Sequence, residues 1–508
     1  MYSCISCQSS NLIKKGSFFN KTDNVDKQRY QCKDCDTQFS VELPKIEEEH
    51  KLYSNNTNKK YVITSYQGGE YNLAFLNVLE NYCDYNNAEL IILHSPSKSD
   101  NTDRILELDR HIVSDNFDIG EYITVYANLT IPKTAVNPIS GLESLSKGKT
   151  LIVGHPSLQM KALQQFGDAH PIIVSSTGTI STPDYKLTSK AGAKAEHNHS
   201  YSALILEMDN VEDIFHIRVL NAEDNGNFYD LDTYYTKSEI TNGHKALCLI
   251  LGDTHVSVID NDVYNATFKN KDSIVNTLKP DIIVHHDLLG MGVLQSHHNT
   301  RSFIRRYEKF VEGKDDVNQE LSQTAQFLLD NCPEFTSKIL IIASNHNEHL
   351  FQYIDNLENK SHDYKNSKLW HLLCYKTLDA IDNGIEVNPF KFYFDDYCKD
   401  EIKRNKIQFL GRDDNYYIND ILISAHGDFG NGGSRYSPTQ GRAYSTKIVN
   451  GHSHTMSING GCYIVGTSSK KNLGYNSGSA SNWTHTHLQI AKNGKRQLIN
   501  IIRGKYKL

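Results

Sequence analysis

Two rhythms of apolar and polar positions alternate along this chain. Apolar runs of four to eight residues, bounded by Gly, Pro, Asn or Ser, predict strands, and apolar positions three and four apart predict helices. The run ALCLILG (246–252) reads as a buried strand, and it stops at Asp253 and His255 in GDTHVSVID. Four later runs stop in the same way. PDIIVHHDLLG ends at Asp287, KILIIASNHNEH at Asn345 and His346, DILISAHGDFG at His426, and TKIVNGHSHT at His452 and His454. Side chains two apart at a strand end can be aimed at one ion, with the turn supplying the bend. A layered α/β fold collects such residues on the loops outside its strand ends.

The remaining pattern divides the chain. YVITSYQ, NLAFLNVLENYCDY and AELIILHS predict strand, helix and strand, one βαβ-like unit. KTLIVGH, HPIIVSST, SALILEM and FHIRVLN predict further strands, so residues 61–245 are expected to form a mixed α/β domain. QGGEYN lacks both the P-loop lysine and the dinucleotide fingerprint. The sequence assigns this domain no role; substrate grip or oligomerisation is the expectation. Residues 46–60, IEEEHKLYSNNTNKK, are polar without apolar periodicity and read as a linker. Residues 246–508 carry the strand ends described above. Within them RSFIRRYEKFVEG predicts a basic amphipathic helix. Its Arg301, Arg305 and Arg306 could meet phosphates or simply form a solvated face. NSKLWHLLCYKTLDAI predicts a core helix. HGDFGNGGSRYSPTQGRAYS predicts a substrate-facing loop, with Arg435 and Arg442 as candidate phosphate clamps. SHHNT, just before that basic helix, places His297 and His298 between it and Asp287 in the sequence. The pairs His197/His199 and His485/His487 read as surface or structural histidines, the latter pair as strand-surface residues.

Composition narrows the class. The chain has 508 residues, enough for two or three domains, with 38% hydrophobic and 22% charged residues, as in a folded protein. No apolar run has the ~18 to 20 residues a membrane span needs, and MYSCISCQSS is not built like a signal peptide. The net charge of −7 means that any nucleic-acid contact must use local basic patches or bound metal. Four of the ten cysteines form two CxxC pairs, Cys4/Cys7 and Cys32/Cys35. Two such knuckles can give four thiolates to one tetrahedral Zn²⁺, so residues 1–45 are expected to be a zinc ribbon that metal largely folds. The ribbon sequence KQRYQCKDCDTQFS is similar to those at the N-termini of some transposases. With Lys14, Lys15, Lys27, Arg29 and Lys33 it could contact DNA or serve only as structure.

The ordered set D-x-H, D, N-H, H, G-H-x-H over about residues 246–470 resembles the calcineurin-like metallophosphoesterase family. That resemblance implies a four-layer metallophosphoesterase β-sandwich flanked by helices over residues 246–508. It also implies a two-metal site that supplies a hydroxide at neutral pH and neutralises the attacked phosphate. Asp287 would bridge the ions; Asp253, His255 and His454 would complete one shell, and Asn345, His426 and His452 the other. Mixed N and O ligands suit Mn²⁺, Fe or Zn²⁺ better than Ca²⁺; the resemblance implies Mn²⁺ first, with Fe, Zn²⁺ or Mg²⁺ as alternatives. His346 would stabilise the transition state or protonate the leaving oxygen. Two positions depart from the family pattern. His286 stands where Gly usually precedes the bridging Asp. Asn347 stands where an acid usually follows Asn-His, so either Glu348 substitutes or His346 is held otherwise.

With HPIIVSSTGTIS and GTSSKKNLGYNSGSASNW, the chain also resembles the early DNA-degradation nucleases of T5-like bacteriophages. This implies a Mn²⁺-dependent DNase acting on DNA in the host bacterial cytoplasm, as a homo-oligomer. The competing readings are a phosphomonoesterase or small phosphodiesterase with a structural ribbon, and a DNA-binding regulator with a degenerate site.

Overall fold

The βαβ unit read from the apolar pattern is present. Strand Lys60–Tyr66 runs parallel to strand Ala88–His94, with Ile63 opposite Ile91, and helix Leu73–Asn86 connects them. Asn72 caps that helix by accepting from the Phe75 N–H, and Asn87 closes it in a left-handed conformation. This computed structural model describes residues 3–20, 25–42, 51–52, 60–95, 108, 111–167, 170–209, 211–290, 292, 303–356, 363–430, 446–473 and 478–508. Most of the expected linker, the histidines at 297 and 298, and Arg301, Arg435 and Arg442 lie outside the described residues.

Residues 1–51 and 52–508 form two compact units. In the first, strands Leu12–Asn20, Val25–Cys32 and Gln38–Glu42 make an antiparallel sheet. Its core holds little beyond Cys4, Tyr30, Cys32 and Phe39, with Leu12 and Val41 against them. So small a core cannot offset the entropy of ordering the segment.

The second unit is mixed α/β with several sheets. One runs Ile214–Asn221, Ser202–Asp209, Lys60–Tyr66, Ala88–His94 and Ile112–Val113. Another runs Ile407–Phe409, Lys338–Ile341, Ile282–His285, Cys248–Ile250, Thr486–Ile490 and Arg496–Asn500, the first four parallel. Period-two alternation gives this second sheet two buried faces. Cys248, Ile250, Val284 and Leu340 enter a core shared with strands of the other sheets. Leu249, Leu251, Ile283 and Ile339 enter a core with helices Val317–Asp330, Asn345–Asp355, Ser367–Asp382 and Pro389–Tyr397. Apolar on both faces, these strands read as continuous runs in the sequence. Among the described residues no helix is long and apolar enough to cross a membrane.

The boundary expected at 245/246 does not divide the contacts. A third, mixed sheet pairs Gln159–Ala162 antiparallel with Ser457–Asn459. A buried ion network ties the same two halves. Arg218 donates from Nη1 and Nη2 to Glu207, at 2.9 and 3.1 Å, and from Nε and Nη2 to Asp230, at 2.9 and 3.0 Å. Gln497, on the last strand, donates to Asp230 at 3.1 Å and to the Val219 carbonyl at 3.0 Å. The Leu508 N–H donates to Glu207 at 3.0 Å. Burial works against ionisation of Glu207, but the charges of Arg218 and Lys60 hold its carboxyl far below the usual range.

Removing one member of a buried ion network strands the others, at a cost of about 3–5 kcal/mol. Arg218→Ala is therefore expected to lower the urea midpoint by that amount of stability at neutral pH. Because the Glu207 pKa is depressed on folding, its stabilisation is present above the unfolded carboxylate range and is lost as pH falls. The gap between wild type and Arg218→Ala should accordingly shrink in acid, as read by denaturation at a series of pH values.

Candidate metal centre

Each ligand candidate stands where its apolar strand stops. Asp253 and His255 follow Cys248–Ile250, and Asp287 follows Ile282–His285. Asn345 opens a helix shortly after Lys338–Ile341, with Ser344 capping it by accepting from the Asn347 N–H. His452 and His454 follow Lys447–Asn450. Hydrogen bonds continue the parallel ladder past the strand ends. The N–H groups of Thr254, His255 and Val256 donate to the carbonyls of His286, Asp287 and Leu288. The Gly451 N–H donates to the His426 carbonyl, which brings the last two loops together.

The result is two donor clusters that share Asp287. Asp253, His255, Asp287 and His454 form one, and Asp287, His426 and His452 the other, with donor atoms within 4.8 Å of one another in each. Asp287 Oδ2 lies 3.1 Å from His426 Nε2 and 3.9 Å from His255 Nε2. Asp253 Oδ2 lies 3.0 Å from His454 Nε2, and the His255 and His454 Nε2 atoms are 3.1 Å apart. The other carboxylate oxygens are tied to backbone. Asp253 Oδ1 accepts from the His452 N–H at 3.1 Å and Asp287 Oδ1 from the His346 N–H at 3.3 Å.

These donors fit divalent cations. Asp253 Oδ2, Asp287 Oδ2, Asn345 Oδ1 and His426 Nε2 are buried without a hydrogen bond. Buried polar atoms are nearly always satisfied, and convergent unsatisfied ones mark an ion's place. Charge points the same way. Burial would raise the Asp287 carboxyl, but His426 and His346 outweigh it and hold it well below the usual range. Burial, then the charge of His346, pushes His255 down to about 3, so its imidazole is neutral. Against burial, Asp287 raises His426 to about 9. Its proton balances carboxylate charge that a cation would otherwise balance. Anionic carboxylates and neutral imidazoles are the forms that bind metal.

Holding the donors this close strains the backbone. His255, Asp287, His452 and His454 all have positive φ, at 41, 39, 66 and 57°. Non-glycine residues rarely adopt this region, and its use clusters at functional sites. Two glycines make the approach possible. A Cβ on Gly451 would stand 2.3 Å from Asp253 Oδ1, and one on Gly252 would stand 2.8 Å from the Gly466 backbone.

The two departures from the family pattern have structural accounts. His286 is buried, with Nδ1 3.3 Å from His426 Nδ1, so it buttresses a ligand. Asn347 accepts from the Leu289 N–H at 3.2 Å and donates to the Ile342 carbonyl at 3.1 Å. It pins two site loops and does not orient His346. Nor does Glu348, which accepts from Arg412 at 2.6 Å. His346 Nδ1 instead donates to the Gly290 carbonyl at 3.1 Å. Its ring lies 4.4 Å from that of His255.

Arg305 and Arg306 fall on helix Phe303–Val311. His197 is exposed, and His199 Nδ1 bonds the Tyr185 hydroxyl at 2.9 Å. His487, expected on a strand surface, is fully buried. Its Nδ1 accepts from the Gly252 N–H at 3.0 Å and its Nε2 meets Thr267 Oγ1 at 2.8 Å. It braces the strand end before Asp253, because both faces of its strand are covered. Further supports carry no motif signal in the sequence. Trp483 packs edge-on against His454 at 4.2 Å, and Arg412 joins Glu348, on helix Asn345–Asp355, to Asp428 beyond His426.

The N-terminal unit holds a second candidate site. The Sγ atoms of Cys4, Cys7, Cys32 and Cys35 cluster within 4.8 Å, and N–H groups of Ser6 and Asp34 donate to Cys4 and Cys32 at 3.4 Å. Four thiolates in this arrangement suit Zn²⁺.

Purified protein is expected to carry one tightly held zinc per chain, absent from Cys32→Ser, by elemental analysis. Titration with Mn²⁺ should show two further sites per chain. Asp287→Ala should weaken both, whereas His197→Ala should leave both intact.

No family model and no solved structure matches the chain. Among curated proteins, Protein A1 of Escherichia phage T5 is 30% identical over 477 residues, covering 88% of this chain and 83% of that protein. The chain thus belongs to the bacteriophage family that includes Protein A1 of phage T5.

Proposed function

We propose that the chain is a metal-dependent nuclease that hydrolyses phosphodiester bonds of DNA at a two-metal centre of the calcineurin-like metallophosphoesterase type. The observation that carries this reading is the sharing of one buried carboxylate, Asp287, by two donor clusters. Ions ~3.5 to 4 Å apart need such a bridge. The shared apolar core between sheets, with helices on the outer face of one, supports the four-layer β-sandwich of that family.

In this reading Asp253, His255 and His454 hold one ion, and Asn345, His426 and His452 the other. Bound divalent ions would supply the Lewis acidity that activates water and offsets charge on the phosphate. The chain's own residues do the rest. Asp253 and Asp287 keep their outer oxygens on backbone N–H groups, so their inner oxygens stay aimed at the centre. His346, anchored at Nδ1 by Gly290, presents Nε2 to exchange a proton with the leaving oxygen. Lys14, Lys15, Arg29 and Lys33, exposed on the N-terminal unit, supply local positive charge for the DNA backbone.

Closed circular and linear duplex DNA, incubated with the protein in EDTA, Mg²⁺ or Mn²⁺, tests the proposal. Cleavage should need metal, fall by at least about 100-fold in Asp287→Ala, and fall about 10²- to 10⁴-fold in His346→Ala with metal binding retained. Intact DNA in every metal, from folded and metal-loaded protein, would sink the nuclease reading and favour a small phosphate ester as substrate.

A further inference from the structure

A cavity of about 700 Å³ lies between helix Lys190–Asn198 and the loop before strand Arg496–Asn500, floored by Ile458, Gly461 and Tyr463. The metal ligands do not line it. Lys190, Lys194 and His197 face it from the helix, at spacings of four and three that form one stripe. Lys447, Lys495 and Arg496 face it from the other side.

Arg496 is the unusual member. It is only 8% exposed. Its Nη1 donates to the carbonyls of Ile448 at 3.2 Å and Gly461 at 2.7 Å, and its guanidinium lies 3.9 Å from the centre of the Tyr463 ring. Among the described residues no carboxylate pairs with it. Carbonyls and an aromatic face hold the guanidinium in place, and the charge of Asp420 reaches it without a direct ion pair. Lys190, Lys194 and Lys495 likewise have no carboxylate partner among the described residues. Lys447 meets Asp420 at 2.7 Å in a pair that is half exposed or more. In a chain of net charge −7, Lys190, Lys194, Lys447, Lys495 and Arg496 line this cavity against one carboxylate, Asp420.

We propose that this cavity is a second phosphate-binding site, one that holds backbone phosphates of nucleic acid away from the metal centre. The assignment of nucleic acid rests on the nuclease reading above. Several cations spread along two walls suit a row of phosphates better than one small anion. A fixed guanidinium among mobile ammonium groups suits phosphate oxygens. Lys447 begins the strand whose end leads to His452. Five residues at about 3.3 Å each place them about 17 Å apart along an extended chain. Phosphates of one strand advance about 3.4 Å along the duplex axis per nucleotide, so that distance is about five nucleotides.

The test is binding of a labelled random-sequence duplex by the full chain, without added divalent metal, over a series of salt concentrations. In Lys190→Glu/Lys194→Glu the affinity should fall at least about tenfold, and the slope of log K against log salt should become shallower by about two. Lys190→Gln/Lys194→Gln should lie between, with an unchanged circular dichroism spectrum. Equal affinity and slope in all three proteins would overturn the proposal. Deoxynucleoside monophosphate binding that needs these lysines, with duplex binding unaffected, would overturn it in favour of a free-nucleotide site. The measurement involves no turnover. Lysine-dependent duplex binding by a protein that cleaves no DNA would support this site while removing the nuclease reading.

Discussion

The approach of Asp287 Oδ2 to the imidazoles of His426 and His255 constrains more of this structure than any other contact. It draws two buried carboxylates and several imidazoles into one buried space. Such crowding is unfavourable without counter-charge, because buried carboxylates lose hydration that hydrogen bonds alone do not replace. The surroundings are built to hold it. Four ligand residues sit in the left-handed backbone region, two glycines let chains pass within contact of Asp253 and of Gly466, and a ladder of backbone bonds joins neighbouring loops. Strain of this kind persists where the surrounding structure over-determines it.

That over-determination comes from the sheets. Strands Cys248–Ile250 and Ile282–His285 are buried on both faces, so the loops at their ends have fixed roots. His487 and His286, buried behind the ligands, transmit the position of the strands to the donors. The first half of the chain contributes to the same rigidity. A strand at 159–162 extends the sheet that carries His452, and the Arg218 network joins residues 207–230 to the last strand. The N-terminal unit follows different physics, with a core so small that its four thiols are the main organising feature.

The two candidate sites of the large unit differ in what they lack. At the strand ends, convergent carboxylate oxygens and imidazole nitrogens call for cations. Between helix Lys190–Asn198 and Arg496, convergent ammonium and guanidinium groups call for anions. Both arise in a chain whose net charge is modest and negative, so charge has been sorted locally and net charge says little about either.

Much of this was legible in the sequence because it is local. Strand and helix periods, the CxxC spacing and the stop of each apolar run at Asp, Asn or His are properties of a few consecutive residues, and they sufficed to assemble the ligand candidates. What the sequence could not decide depends on distant segments meeting. The histidine at 487 has the same alternation whether its strand is covered on one face or two, and only the sheets settled that both are covered. Glu348 looks like a stand-in for the acid missing at Asn347, but Arg412 claims it, and Asn347 is held by Leu289. The position of Arg496 against Tyr463, across from Lys190 and Lys194, joins residues some three hundred apart. By itself the sequence determined which chemical groups stand at the strand ends. The tertiary structure alone decided which of them share an ion's space and which cations face one another, because distance and burial are set by packing between segments that no sequence period relates.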